Sequence, residues 1–261
     1  MLLSNRYKLD RQKTIALLES LEGEDRNAVT WYLPSGILTT GIDTMLATVP
    51  ELSGIPPEVA GLAAQSPNGA VFFWGTQHKY LILPPLPVAE KCINPGFETT
   101  LLRSLIGQEC TIVLVLIRLG SYAIGVCRGE KLLASKVGTG LVHSRHRQGG
   151  SSAARFARHR EKQIEGFLTR VCGHIREKLE PYAGNIEYIA YGGARTTILL
   201  LQKECSFLQK YDNRVLPPLL TVPDPRQAVL EEAVQQVWSS TVVKWDESGL
   251  PEVKTGADDA R

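Results

Sequence analysis

Cys110-Thr-Ile-Val-Leu-Val-Leu-Ile-Arg-Leu-Gly-Ser-Tyr-Ala-Ile-Gly-Val-Cys-Arg-Gly-Glu-Lys-Leu-Leu-Ala-Ser-Lys-Val137 holds three apolar runs separated by Gly120-Ser121 and Gly129-Glu130. Runs rich in β-branched residues with glycine-bearing breaks at hairpin distance predict three consecutive strands, Cys110 to Leu119, Tyr122 to Cys127 and Lys131 to Val137. Downstream, an irregular, glycine-rich and basic stretch from Gly138 to Gly150 leads into a long segment. There Phe156, Ile164, Phe167, Leu168, Val171, Ile175 and Leu179 recur at spacings of three and four, which predicts an amphipathic helix. Pro181 and Gly184 end that helix. A strand from Ile186 to Tyr191, a turn at Gly192-Gly193, a helix from Ala194 to Lys210, a strand from Val215 to Val222 and a helix from Pro225 to Trp238 follow. The order β-β-β-α-β-α-β-α implies an α/β fold, a mixed sheet with helices packed on its faces.

Upstream of the three strands, Leu9, Ile15, Leu18 and Leu21 fall on helical spacing, so a helix is expected from Ser4 to Leu21. Ala28 to Leu33 reads as a strand running into the Pro34-Ser-Gly36 turn, a helix is expected to start near Pro56, and Ala70 to Trp74 and Tyr80 to Leu83 read as strands around a Gly75–His78 loop. The proline-rich segment Pro84 to Gly96 has little periodicity and reads as a linker. The expected organisation is a smaller N-terminal α/β domain over 1–95, a second domain over 96–242 and a polar, flexible tail over 243–261.

With 43% hydrophobic and 21% charged residues the composition excludes disordered and collagenous chains, and 261 residues allow one large domain or two modest ones. The five cysteines, Cys92, Cys110, Cys127, Cys172 and Cys205, form no Cys-x-x-Cys pair and read as reduced thiols of a cytoplasmic protein. The N-terminus lacks the pattern of a secretory signal. The most apolar run, Thr111 to Leu119, is about half the length a membrane helix needs and carries Arg118, so a soluble protein is expected.

The net charge is only +2, yet the basic residues are concentrated. His143-Ser-Arg-His-Arg-Gln-Gly-Gly-Ser-Ser-Ala-Ala-Arg-Phe-Ala-Arg-His-Arg-Glu-Lys162 carries five arginines, one lysine and three histidines against the single acid Glu161. Such focusing is the footprint of a phosphate partner. Gly149 and Gly150 permit close backbone approach, Ser151 or Ser152 is placed to cap the helix, and Arg155, Arg158 and Lys162 share one helix face. A solvated basic face beside an ordinary glycine turn is the bland account. Against it, like charges this dense repel one another without a partner.

Arg147-Gln148-Gly149-Gly150-Ser151-Ser152-Ala153-Ala154-Arg155-Phe156-Ala157-Arg158-His159-Arg160 resembles the catalytic loop and following helix of eukaryotic and archaeal class-1 peptide release factors. In that family a Gly-Gly-Gln tip is followed by Ser-Ala, two more residues and Phe-x-Arg. The order of strands and helices also matches over roughly residues 108 to 240, and the helix and strand ending in Pro34-Ser-Gly36 are similar to the family's N-terminal opening. The resemblance implies an RNase H-like catalytic domain. It implies as well a cytoplasmic, monomeric protein whose partners are the large ribosomal subunit, its rRNA and peptidyl-tRNA, with no membrane partner, metal or organic cofactor.

The family's stop-codon-reading Asn-Ile-Lys-Ser motif is absent from the sequence, so the resemblance is to the codon-independent rescue branch, including the ribosome quality-control relatives. Under it Gly149 and Gly150 form the inserted tip, Gln148, Ser151 and Ser152 stand where water is positioned, and Arg145, His146, Arg147, Arg155, Arg158 and Lys162 grip RNA. The family's glutamine position is Ser151 here, or Ser152 under the alignment suggested by the quality-control relatives. Two outcomes stay open. Either the Ser151 N–H and hydroxyl with the Gln148 amide support hydrolysis, or the protein is a silent ribosome and tRNA binder; cleavage of the tRNA strand is a third.

Other patterns are weaker. Gly138-Thr-Gly140 begins like a dinucleotide fingerprint, but His143 stands where its third glycine belongs. His143 and His146 have metal-ligand spacing, yet Arg145 and Arg147 would repel a cation. His159 and His174 read as surface residues of the long helix, and Trp31, Tyr32 and Trp74 as packing residues.

Overall fold

The computed structural model describes residues 5–23, 25, 27–39, 54–142 and 153–246. The chain divides into two compact units, Met1–Leu9, Lys13–Leu102 and Ser240–Arg261 in the first and Asp10–Gln12 and Arg103–Ser239 in the second.

The first unit carries a six-stranded sheet. Its strands are β1 (Asn5–Leu9), β2 (Val29–Leu33), β3 (Ala70–Trp74), β4 (His78–Leu83), β5 (Cys92–Pro95) and, from the far end of the chain, β11 (Ser240–Asp246), in the order β1-β11-β4-β3-β2-β5. Every neighbouring pair is antiparallel. Helices α1 (Arg11–Leu21), α2 (Ser35–Leu38) and α3 (Pro57–Ala64) accompany it, α3 starting on a proline whose missing N–H the first turn does not need. Val59, Ala60 and Ala63 of α3 pack with Trp31, Leu33, Phe72, Leu81, Val243 and Trp245. Trp74 meets Trp31 and Trp245 edge-on, with ring centroids 6.1 and 6.0 Å apart. The Tyr32 hydroxyl donates to Glu98 O at 3.0 Å and accepts from Leu102 N at 3.1 Å. Trp31, Trp74 and Tyr32 are thus packing residues, as their strand neighbours imply.

Three expectations for this region are corrected. Asn5–Leu9 is a strand and not the start of a helix, because Arg6 to Leu9 find partners in Val243 to Ser240, more than 200 residues away in sequence. Cys92–Pro95 lies within the expected linker yet pairs with β2. Lys244 to Asp246 belong to β11, so the segment from Lys244 on does not begin as a tail; Lys244, Trp245 and Asp246 pair with Tyr80, Lys79 and His78.

The second unit begins with α4 (Thr100–Gly107) and contains β6 (Thr111–Arg118), β7 (Ser121–Arg128) and β8 (Lys131–Thr139), the three strands read first from the sequence. After them come α5 (Ala153–Leu179), β9 (Ile186–Gly193), α6 (Arg195–Glu204), α7 (Ser206–Gln209), β10 (Val215–Leu220) and α8 (Gln227–Val237). The sheet order is β10-β9-β6-β7-β8, with β10, β9 and β6 parallel and the β6–β7–β8 meander antiparallel. Central β6 is buried from Thr111 to Ile117, the continuous apolar run of a strand covered on both faces. On one face Phe167, Leu168, Val171, Ile175 and Leu179 of α5 and Ile198 and Leu201 of α6 pack on Val113, Val115, Ile117 and Tyr191. On the other, α8 comes so close that a Cβ at Gly125 would stand 3.0 Å from Leu230 Cδ1.

Two further readings change here. Cys172 and Cys205 form a disulfide between α5 and the α6–α7 junction, so these two are not free thiols. The helix expected from Ala194 to Lys210 breaks at that junction, where Cys205 has the non-helical dihedrals φ −103° and ψ 80°. Cys110 and Cys127 are free and buried.

Candidate functional site

The basic stretch emerges from one end of the second sheet. Register places Thr139 of β8 opposite Ser121, Ser121 opposite Arg118, and Ile117 of β6 opposite Gly193. This end is tied together: Gly140 N donates to Gly120 O at 2.9 Å, Ala194 N to Ile117 O at 3.3 Å, and Arg118 Nη2 to Val222 O at 2.7 Å. Gly193 has φ +109°, and any Cβ there would collide with the Ile117 carbonyl, so the β9 exit requires glycine. A Cβ at Gly140 would stand 2.5 Å from the Phe167 ring, so the β8 exit runs directly against the base of α5.

Arg145, His146, Arg147, Gln148, Gly149, Gly150, Ser151 and Ser152 lie outside the described residues, as does His143. The described part of the candidate site is therefore the start of α5. Arg155, Phe156, Arg158, His159 and Lys162 line one open groove, bringing together the three cations expected there. The spacing of three, four and seven explains why they share a face. His159 is exposed as read from the sequence; His174 is instead half-buried and stacks on Tyr122 with ring centroids 5.8 Å apart. Phe156, expected in the apolar stripe, is 51% exposed. It precedes the part of α5 that lies on the sheet, and its ring belongs to the groove.

The electrostatics of this helix are asymmetric. Arg155 stands in the first turn, which contains no acid, although the helix dipole makes that end partially positive. At the other end Arg176 and Lys178 sit in the last turn, where the dipole favours them. A cationic side chain at the positive end is stabilised by an anion brought from outside, and a phosphate has the charge and the acceptor oxygens to do so.

No buried thiol of the second unit competes as a nucleophile. Burial pushes the Cys110 thiol up to about 11 and the Cys127 thiol up to about 12, so both stay protonated at neutral pH. Cys127 Sγ donates to Ile112 O at 3.2 Å. Among the described residues no three metal-ligating side chains converge, and no helix is long and apolar enough to cross a membrane.

Residues 110–243 match the sequence model of the Actinobacteria/chloroflexi VLRF1 release factor, just over half of the chain and nearly all of the second unit. The chain belongs to this release-factor family. Curated proteins similar to it include the peptide chain release factor subunit 1 of Aeropyrum pernix, 22% identical over 209 residues, which cover 69% of this chain and 56% of that one. That of Archaeoglobus fulgidus is 27% identical over 113 residues, 43% of this chain and 28% of that one. The chain thus spans about half, or less, of the length of these relatives. Among solved structures, the "Vms1 mitochondrial localization core" aligns over 91% of this chain and 94% of its own at 16% identity and a TM-score of 0.43. The archaeal translation termination factor aRF1 aligns over 88% and 73% at 17% identity and a TM-score of 0.37.

Within the VLRF1 release-factor region two features were not read from the sequence. The Cys172–Cys205 pairing has no sequence signal, since 33 positions separate the two cysteines. Glycines inside α5 at 166 and 173 were visible as helix-weakening residues, but their surroundings were not.

Proposed function

We propose that the protein is a codon-independent, release-factor-like peptidyl-tRNA hydrolase acting on stalled nascent chains at the large ribosomal subunit. Membership of the VLRF1 release-factor family supports the class. The observation that carries the RNA-facing part is the groove of Arg155, Phe156, Arg158, His159 and Lys162 on the helix that follows the Gly149-Gly150 segment. Guanidinium groups bind phosphate oxygens in a fork, and an exposed ring beside them offers a face for a base.

In this reading Gly149 and Gly150 enter the peptidyl transferase centre, with Arg145, His146 and Arg147 on phosphates at their side. Water attacks the ester carbonyl carbon, the bond to the tRNA ribose oxygen breaks, and the peptide leaves as a carboxylic acid while the ribose oxygen takes a proton. The Ser151 N–H donates to the oxygen on which negative charge develops, and the Ser151 hydroxyl or Gln148 amide orients the water, with Ser152 beside them. No metal or organic cofactor takes part. The partners are the large subunit with its rRNA and peptidyl-tRNA, and the site of action is the cytoplasm, with the protein acting as a monomer.

The position of Ser151 where the family carries glutamine favours a second reading, a ribosome and tRNA binder that does not hydrolyse. Nascent-chain release from purified large subunits carrying peptidyl-tRNA separates the two. The hydrolase reading expects release, with intact deacylated tRNA, that is lost in Gly149→Ala/Gly150→Ala while association persists. Association without release supports the binder, and a shortened tRNA on a denaturing gel identifies strand cleavage.

A further inference from the structure

The helix α5 consists of two unlike halves. From Ala154 to Gly166 no residue is buried, and Arg160, Gln163 and Ile164 are half-buried. From Phe167 on, Phe167, Leu168, Val171, Ile175 and Leu179 enter the core. This second half is further fastened to α6 and its end: Thr169 Oγ1 donates to Glu204 Oε1 at 2.8 Å, and Cys172 is covalently joined to Cys205. The change from one half to the other falls at Gly166.

Packing does not account for glycine there. A Cβ at Gly166 would find no atom within 4 Å, and the residue has no left-handed dihedral to accommodate. Glycine is among the weakest helix formers, because it loses the most backbone freedom on folding, and kinks concentrate where such residues interrupt a helix. Gly173 also faces open space, but it lies beside the Cys172–Cys205 link and between the buried turns of Val171 and Ile175. The same residue type thus occurs once where the helix is free to bend and once where it is clamped.

We propose that Gly166 is a hinge, a positioning residue about which the exposed half of α5 swings to aim the Gly149-Gly150 segment, while the disulfide-fastened half stays fixed. The lever is long: thirteen residues lie between Gly166 and Ala153, about 20 Å at 1.5 Å per residue, so a bend of about 10° moves the helix start by about 3 Å. A misplacement of roughly 1 Å is enough to cost about a hundredfold in rate for a group that must meet a reacting centre. Ile164, half-buried at the edge of the core, sets the resting position of the swing. The functional consequence rests on the hydrolase reading above; the hinge itself does not.

The full chain is labelled through p-acetylphenylalanine introduced at Glu161 and Lys203, both exposed, which leaves the disulfide untouched. Distances between the two spin labels are then measured in the wild type, Gly166→Ala and Gly173→Ala. Each alanine is expected to raise Tm by about 2–4 °C, since each removes a weak helix former without a clash. Only Gly166→Ala is expected to narrow a broad distance distribution. In release assays on large subunits carrying peptidyl-tRNA, Gly166→Ala is expected to lower the maximal rate about tenfold at unchanged half-saturation, and Gly173→Ala to change neither. A distribution in Gly166→Ala as broad as the wild type, or equal narrowing in both variants, overturns the hinge. If the wild type releases nothing, the hydrolase reading fails, and the distances still decide the hinge.

Discussion

Replacing Arg155, Arg158 and Lys162 together by alanine should change the salt dependence of RNA binding more than any other surface substitution in the second unit. The three cations line one groove, and each phosphate they neutralise contributes about 0.7 to 0.9 to the slope of log affinity against log salt concentration. Three contacts therefore amount to a slope difference of about 2 to 3. Between 50 and 200 mM salt, a fourfold range, a difference of 2 makes the wild-type advantage shrink about 16-fold. The assay is fluorescence anisotropy of labelled deacylated tRNA across a salt series at fixed magnesium. Arg176→Ala/Lys178→Ala is the comparison, because these side chains suit the negative end of the helix and Lys178 already pairs with Glu177 at 2.9 Å. Loss of Arg155 removes a charge that opposes the helix dipole, a relief of about 0.3–1 kcal/mol, so weaker binding should come without a lower Tm. A line for the triple variant parallel to the wild type would refute phosphate recognition by this face.

Three other expectations concern stability. Arg11 is buried, donates to Ile106 O at 2.8 Å and Gln108 O at 2.7 Å, and lies 4.4 Å from the Trp238 ring centroid; Arg11→Ala should cost about 2–5 kcal/mol in urea unfolding, since two carbonyls lose charged donors. Closing a loop of 33 positions constrains the unfolded chain by about 3–4 kcal/mol, so Cys172→Ser/Cys205→Ser should lower Tm by several degrees, and a reductant should do the same only to the wild type. Burial raises the Cys127 thiol from 9.0 to about 12. Above pH 9 the unfolded chain loses this proton while the folded one keeps it. Stability should therefore fall as pH rises from about 9 toward 12, by up to about 1.4 kcal/mol per pH unit, and Cys127→Ala should flatten that decline in urea titrations.

The second unit was largely legible because its signals are local. The runs beginning at Thr111, Tyr122 and Lys131 carry their own hairpin breaks, and Phe167 to Leu179 repeat at helical spacing, so strand and helix types follow from neighbours a few positions away. What escaped depends on distant partners. Asn5–Leu9 has Leu9 on a plausible helical stripe, and it becomes a strand only because Ser240–Lys244 lies alongside. Cys92–Pro95 resembles its proline-rich surroundings and is set apart by pairing with Val29–Tyr32. Of the candidate site, the grouping of Arg155, Arg158 and Lys162 followed from their spacing alone. Phe156 was misplaced because periodicity cannot tell where a helix leaves the sheet: the stripe continues along the helix while the surface that would bury it ends.

That helix also makes an energetic argument. Thirteen exposed residues form a helix too short to be stable alone in water, where about 12–15 residues are marginal even for alanine-rich sequences. Arg155 in the first turn and Gly166 at the junction weaken it further. It is helical because the buried turns from Phe167 onward supply the nucleus and elongation needs only one hydrogen bond per added residue. A phosphate bound among Arg155, Arg158 and Lys162 would reverse the repulsion in the first turns and draw the exposed half into one position. Ligand binding and helix ordering are then the same event. Amide exchange over residues 154–165 should accordingly slow when deacylated tRNA is added, with little change over 167–179. Equal slowing of both segments would mean that RNA acts on the whole unit and not on its exposed helix.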